Sequence, residues 1–99
     1  MSMRITSERM TSDQTEHWAV PVDAGQPYGP WWASVLPGRE LNRNEAITAI
    51  TLAEAVAQMQ RDGQVDVTHR LWPHVASWAG ELDMTDLAAV GAVLREQSP

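Results

Sequence analysis

Along the second half of the chain, apolar residues recur at helical intervals in three blocks, which predict three helices. The first is about 43–61. Ala46, Ile47, Ala49, Ile50, Leu52, Ala53, Val56, Ala57 and Met59 cover most of its circumference. Glu45, Thr48, Thr51, Glu54, Gln58 and Arg61 recur at intervals of three and four and make one narrow polar stripe. A helix this apolar is central, covered by more than one neighbour. Asn42 is its expected N-cap, Glu45 follows at capping-box spacing, and Asp62-Gly63 ends it.

The second block, 67–79, places Val67, Leu71, Val75 and Trp78 on one face, with Asp66 as N-cap and Gly80 as a stop. Pro73 kinks or splits this helix, because proline cannot donate in a helix interior and clashes with the preceding turn. The third block, 84–96, has Asp83 as expected N-cap and Leu87, Val90 and Leu94 as its seam. Ala88, Ala89, Gly91, Ala92 and Val93 leave it almost no polar face.

The first half reads differently. Residues 17–41 carry Pro21, Pro27, Pro30 and Pro37 with Gly25, Gly29 and Gly38, which exclude a long helix and predict an extended arm rich in proline and tryptophan. Trp18, Val20 and Val22 alternate as in a short edge strand, and Trp31 to Leu36 fit one helical turn after Pro30. Residues 1–16 are polar, rich in Ser and Thr, and without periodicity, which predicts a flexible tail. The expected fold is therefore all-α: a small bundle of three main helices in residues 42–99, with an arm at 17–41 and a tail at 1–16.

Composition narrows the chemistry. The chain has 99 residues, 7 arginines against 13 acids, a net charge of −6, and no cysteine. It has no lysine or phenylalanine but five tryptophans. The acidic balance disfavours nucleic acid and anionic membrane as partners. Without cysteine there are no disulfides, thiolate metal sites or thiol catalysis. No basic segment followed by an apolar one opens the chain, and no run of about 18 apolar residues occurs, so the expected location is cytoplasmic.

Catalytic and metal-binding patterns are weak. His69 and His74 are five apart and fall on different helical faces, whereas a helical zinc pair needs an i, i+4 spacing, so no metal or cofactor is expected. Neither Ser34 nor Ser77 sits in a nucleophile elbow, and Glu81, Asp83 and Asp86 cluster where capping accounts for them. The spacing of the last two helices resembles a helix-turn-helix in length. Its reading segment, Met84 to Val90, lacks Arg, Lys, Asn and Gln for base edges.

Two surfaces remain. The small residues of the third helix suit close packing, and Leu87, Ala88, Gly91, Ala92 and Leu94 are expected to form a homodimer interface. Trp78 is expected in the core, while Trp72 turns inward only if Pro73 breaks the helix. Trp31 and Trp32 cannot both fill one pocket, so one anchors the arm and the other faces out. Tyr28, Trp31, Trp32 and Leu36 together have the composition of a partner-binding hot spot. The expected function is a non-enzymatic protein-protein interaction module, a regulator, adaptor or inhibitor that self-associates. A helix-turn-helix regulator and a structural subunit of a larger assembly are the alternatives.

Overall fold

In the computed structural model, residues 3–95 are described, so the ends of the expected tail and of the third helix lie outside the described residues. The fold is α+β and not all-α. Four short strands, β1 (Met3–Ile5), β2 (Met10–Ser12), β3 (Ala19–Pro21) and β4 (Trp31–Ala33), form an antiparallel sheet in sequence order. Three helices follow: α1 (Arg43–Arg61), α2 (Trp72–Glu81) and α3 (Asp86–Arg95). The sheet is drawn wholly from the stretches expected to be a tail and an arm, and Trp31 begins a strand in place of the expected helical turn.

Of the four strands only β3 falls within an expected one, the edge strand at 18–22; each has three residues, too few for alternation to show in the other three. Pairing sustains them instead. Met3, Arg4 and Ile5 pair with Ser12, Thr11 and Met10, and Ala19, Val20 and Pro21 pair with Ala33, Trp32 and Trp31. The two hairpins are joined at a single registered pair, Met10 with Ala19. Pro21 lies past that junction, where β3 has no ladder bond to donate to β2. Beyond β4, Trp31 and Leu41 exchange two backbone bonds of 2.7 and 2.9 Å, which leads the chain into α1.

α1 matches the expected span. The Asn42 side chain accepts from the Glu45 N–H at 2.7 Å, and Glu45 accepts from the Asn42 N–H at 2.9 Å, completing the capping box. At its far end Gly63 is left-handed (φ 69°), and the Gln64 N–H closes on the Met59 carbonyl at 3.0 Å. α1 is buried around most of its circumference, between β2 and β4 on one side and α2 and α3 on the other.

α2 starts later than expected. Pro73 occupies the first turn, where its missing N–H costs nothing, and Asp66 instead closes a turn by accepting from the Thr68 N–H at 2.8 Å. The break turns Trp72 inward: it is buried and donates its indole N–H to Asp86 Oδ2 at 2.9 Å. Trp78 is only half-buried, stacked on His74 with ring centroids 5.8 Å apart. Gly80 does not stop α2. Asp83, expected to cap α3, takes the left-handed position (φ 58°) that ends α2, while Met84 N–H bonds Ala79 O at 2.9 Å. Thr85 caps α3, its hydroxyl accepting from the Ala88 N–H at 3.1 Å.

Candidate partner-binding face

The register divides the sheet into two faces, because successive side chains alternate. Met10, Ala19, Trp31 and Ala33 point into the core against α1 and are buried. Arg4, Thr11, Val20 and Trp32 alternate onto the opposite face. Trp18 joins them one step before Ala19, with Ser34 beside it: the Ser34 N–H donates to the Trp18 carbonyl at 2.9 Å. Helix contacts reach the sheet from α1, on the core side. Trp18 is 37% exposed, and Val20 and Trp32 are half-buried. An antiparallel sheet with one open face is ordinary, but that face is then polar. Here it carries two indoles.

The four residues expected to form a hot spot do not share a surface. Tyr28 is 89% exposed on the β3–β4 loop. Trp31 is fully buried, and its Nε1–H donates to the Pro27 carbonyl at 2.9 Å, tying that loop to the core. Leu36 is half-buried against the core. Trp32 alone of the adjacent pair reaches the open face, where Trp18 and Val20 are its neighbours. The alternation of Trp18, Val20 and Val22 is the sequence signal for this face; its pairing with β4 is not visible locally.

The five residues expected at a helix interface divide as well. Leu87 is 71% exposed, with Ala88 and Gly91 exposed beside it, whereas Ala92 is buried and Leu94 is half-buried against the core.

The polar stripe of α1 holds the N-terminal hairpin. The Ser12 hydroxyl donates to the buried Glu54 carboxyl at 2.6 Å, and Arg61 donates to the Gln14 side-chain oxygen at 2.7 Å. His17, also buried, fastens the sheet to α3: its Nε2 meets the Val93 carbonyl at 2.9 Å, and Nδ1 meets Ser34 Oγ at 2.9 Å. A carbonyl only accepts, so Nε2–H donates to Val93, while the Ser34 hydroxyl lies between Nδ1 and the Trp18 carbonyl, to which it donates at 3.2 Å. Ser34 Oγ also accepts from the Trp18 N–H at 2.8 Å. Both groups act here as fasteners between elements.

His69 has a comparable place. Its Nδ1 accepts from the Leu71 N–H at 3.0 Å, and its Nε2–H donates to Asp62 Oδ2 at 2.7 Å. That bond holds the Asp62 carboxyl below its ordinary 3.8, as the Thr68 hydroxyl does for Asp66. Among the described residues no group of three or more His, Asp or Glu could hold a metal ion. A cleft of about 200 Å³ between α1 and α2 is lined by Thr51, Ala55, Leu71 and Trp78. Among the described residues no helix is long and apolar enough to cross a membrane. The chain matches no protein-family model, no curated protein and no solved structure.

Proposed function

We propose that this protein is a non-enzymatic interaction module that binds another protein through the open face of its sheet. The observation that carries this reading is the placement of Trp18 and Trp32 beside Val20 on the face opposite the one whose residues pack in the core. Large rigid aromatics covered on binding are the usual anchors of protein interfaces, each costing ~2 kcal/mol or more of binding when truncated. The second apolar surface, Leu87 with Ala88 and Gly91 on α3, fits a helix of a second copy, since small residues let helix axes approach closely.

The test is a double substitution, Trp18→Ala with Trp32→Ala, compared with the unaltered chain for capture of its binding protein from cells. Loss of capture with the helical circular-dichroism signal retained supports the reading. Full capture by the folded double variant overturns it. For the α3 surface, light scattering should give a dimer mass that Leu87→Glu converts to a monomer. A monomer mass for the unaltered chain at micromolar concentration removes self-association.

A further inference from the structure

The open face is not uniformly apolar. Taking the β2–β3 junction at Met10 and Ala19, its residues fall into two cross-strand rows. One row reads Arg4, Thr11, Trp18, Ser34; the other reads Arg9, Val20, Trp32. Arg9 comes directly before core-facing Met10, so it alternates onto the open side. The half of the face on the β1–β2 hairpin therefore carries Arg4, Arg9 and Thr11, and the half on β3 and β4 presents the indoles. Arg4 and Arg9 are exposed, and neither takes part in the ion pairs among the described residues. Of the acids nearest in sequence, Glu8 borders a cleft beside Val20, whereas Asp13 and Glu16 line a separate cleft with Arg61.

Resting on the sheet-face reading, we propose that the occupant is an acidic segment of a partner protein, with carboxylate side chains meeting Arg4 and Arg9 beside an apolar side chain seated against Trp18 and Trp32. Charge complementarity carries the choice. Guanidinium groups take carboxylates in paired, charge-assisted hydrogen bonds, and indole surface takes the neighbouring apolar group. A single-stranded nucleic acid could also stack on indoles, but it relies on a tract of cationic contacts to phosphates. Two arginines on a chain of net charge −6 are a poor match for a polyanion and sufficient for one or two carboxylates.

The experiment uses the whole chain and three probes: a synthetic peptide alternating Glu with Leu, a twin with Gln replacing every Glu, and a (dT)12 oligonucleotide. Indole N–H resonances of Trp18 and Trp32 report binding. The acidic peptide is expected to shift both resonances and to bind about tenfold more tightly than its amide twin. That advantage should vanish in the Arg4→Gln, Arg9→Gln double variant, whose altered side chains are exposed and outside the ion pairs of the described residues, and should shrink as salt is raised. Equal affinity for the two peptides, with both indole resonances shifted, overturns the acidic preference and leaves the sheet-face reading standing. Tighter binding of the oligonucleotide at the same resonances overturns it in favour of nucleic acid. If no probe moves either indole, the acidic-segment inference fails, whereas the sheet-face reading is decided by the Trp18→Ala, Trp32→Ala capture experiment.

Discussion

The adjacent tryptophans offer the sharpest test of the fold, because one residue step separates a core position from a surface one. Trp31 is fully buried and its indole N–H is bonded to the Pro27 carbonyl at 2.9 Å. Truncating a buried Trp to Ala costs ~3–5 kcal/mol through lost transfer energy and the cavity left behind. Losing the hydrogen bond adds ~0.5–1.5 kcal/mol. A domain of this size is stable by only ~5–15 kcal/mol, so Trp31→Ala should remove from about a quarter of that stability to all of it. Trp31→Phe keeps most of the ring and should lose about 1–3 kcal/mol. At ~4–8 °C per kcal/mol, its melting temperature should fall by roughly 5–20 °C. Trp32 is half-buried, paired across the strands with Val20 on the open face, and Trp32→Ala should cost under about 2 kcal/mol. Urea titrations followed by circular dichroism at helical wavelengths measure all three without relying on the altered fluorophores. A loss for Trp32→Ala equal to or larger than that for Trp31→Ala would refute the assigned register, since a one-residue slip exchanges the two faces.

Asp83 holds a left-handed backbone (φ 58°) that glycine adopts at no steric cost, so Asp83→Gly should raise stability by about 0.5–1 kcal/mol, seen as a higher urea midpoint. Ser12→Ala removes the hydroxyl that donates to buried Glu54; it should cost ~1–3 kcal/mol and speed hydrogen exchange at Met10–Ser12. The Asp62 and Asp66 carboxyls are held below 3.8, chiefly by the His69 and Thr68 hydrogen bonds. A lowered folded value means stability present above 3.8 and lost as pH falls through the folded values below it. Acid titration monitored by circular dichroism should therefore show stability declining below about pH 4, and Asp62→Asn should flatten that decline.

Local sequence was enough for α1. Its apolar coverage, the Asn42–Glu45 capping box and the Gly63 terminus depend on residues three to five apart, and each is found as read. The blocks behind α2 and α3 were also legible, though their ends moved, because three possible punctuators compete there. Pro73 was used as a first-turn residue, Gly80 was left inside α2, and the less favourable Asp83 took the left-handed position because the chain reverses there. The candidate face was half legible: Trp18, Val20 and Val22 alternate, and Trp31-Trp32 was marked as a pair that must split. Which ring goes inward could not be read, because the choice depends on Ala33 lying opposite Ala19 across the sheet.

The sequence by itself thus determined three helical blocks, a central apolar helix and the special position of one tryptophan pair. These rest on short-range periodicity and capping, where each residue's partners are within a helical turn. Tertiary structure alone decided that polar residues 3–12 form two strands. It also decided that the α1 stripe receives Ser12 at Glu54 and Gln14 at Arg61, and that Arg4 and Arg9 share a face with Trp18 and Trp32. Strands of three residues have no stability apart from their partners, and those partners are fixed only when the chain closes on itself.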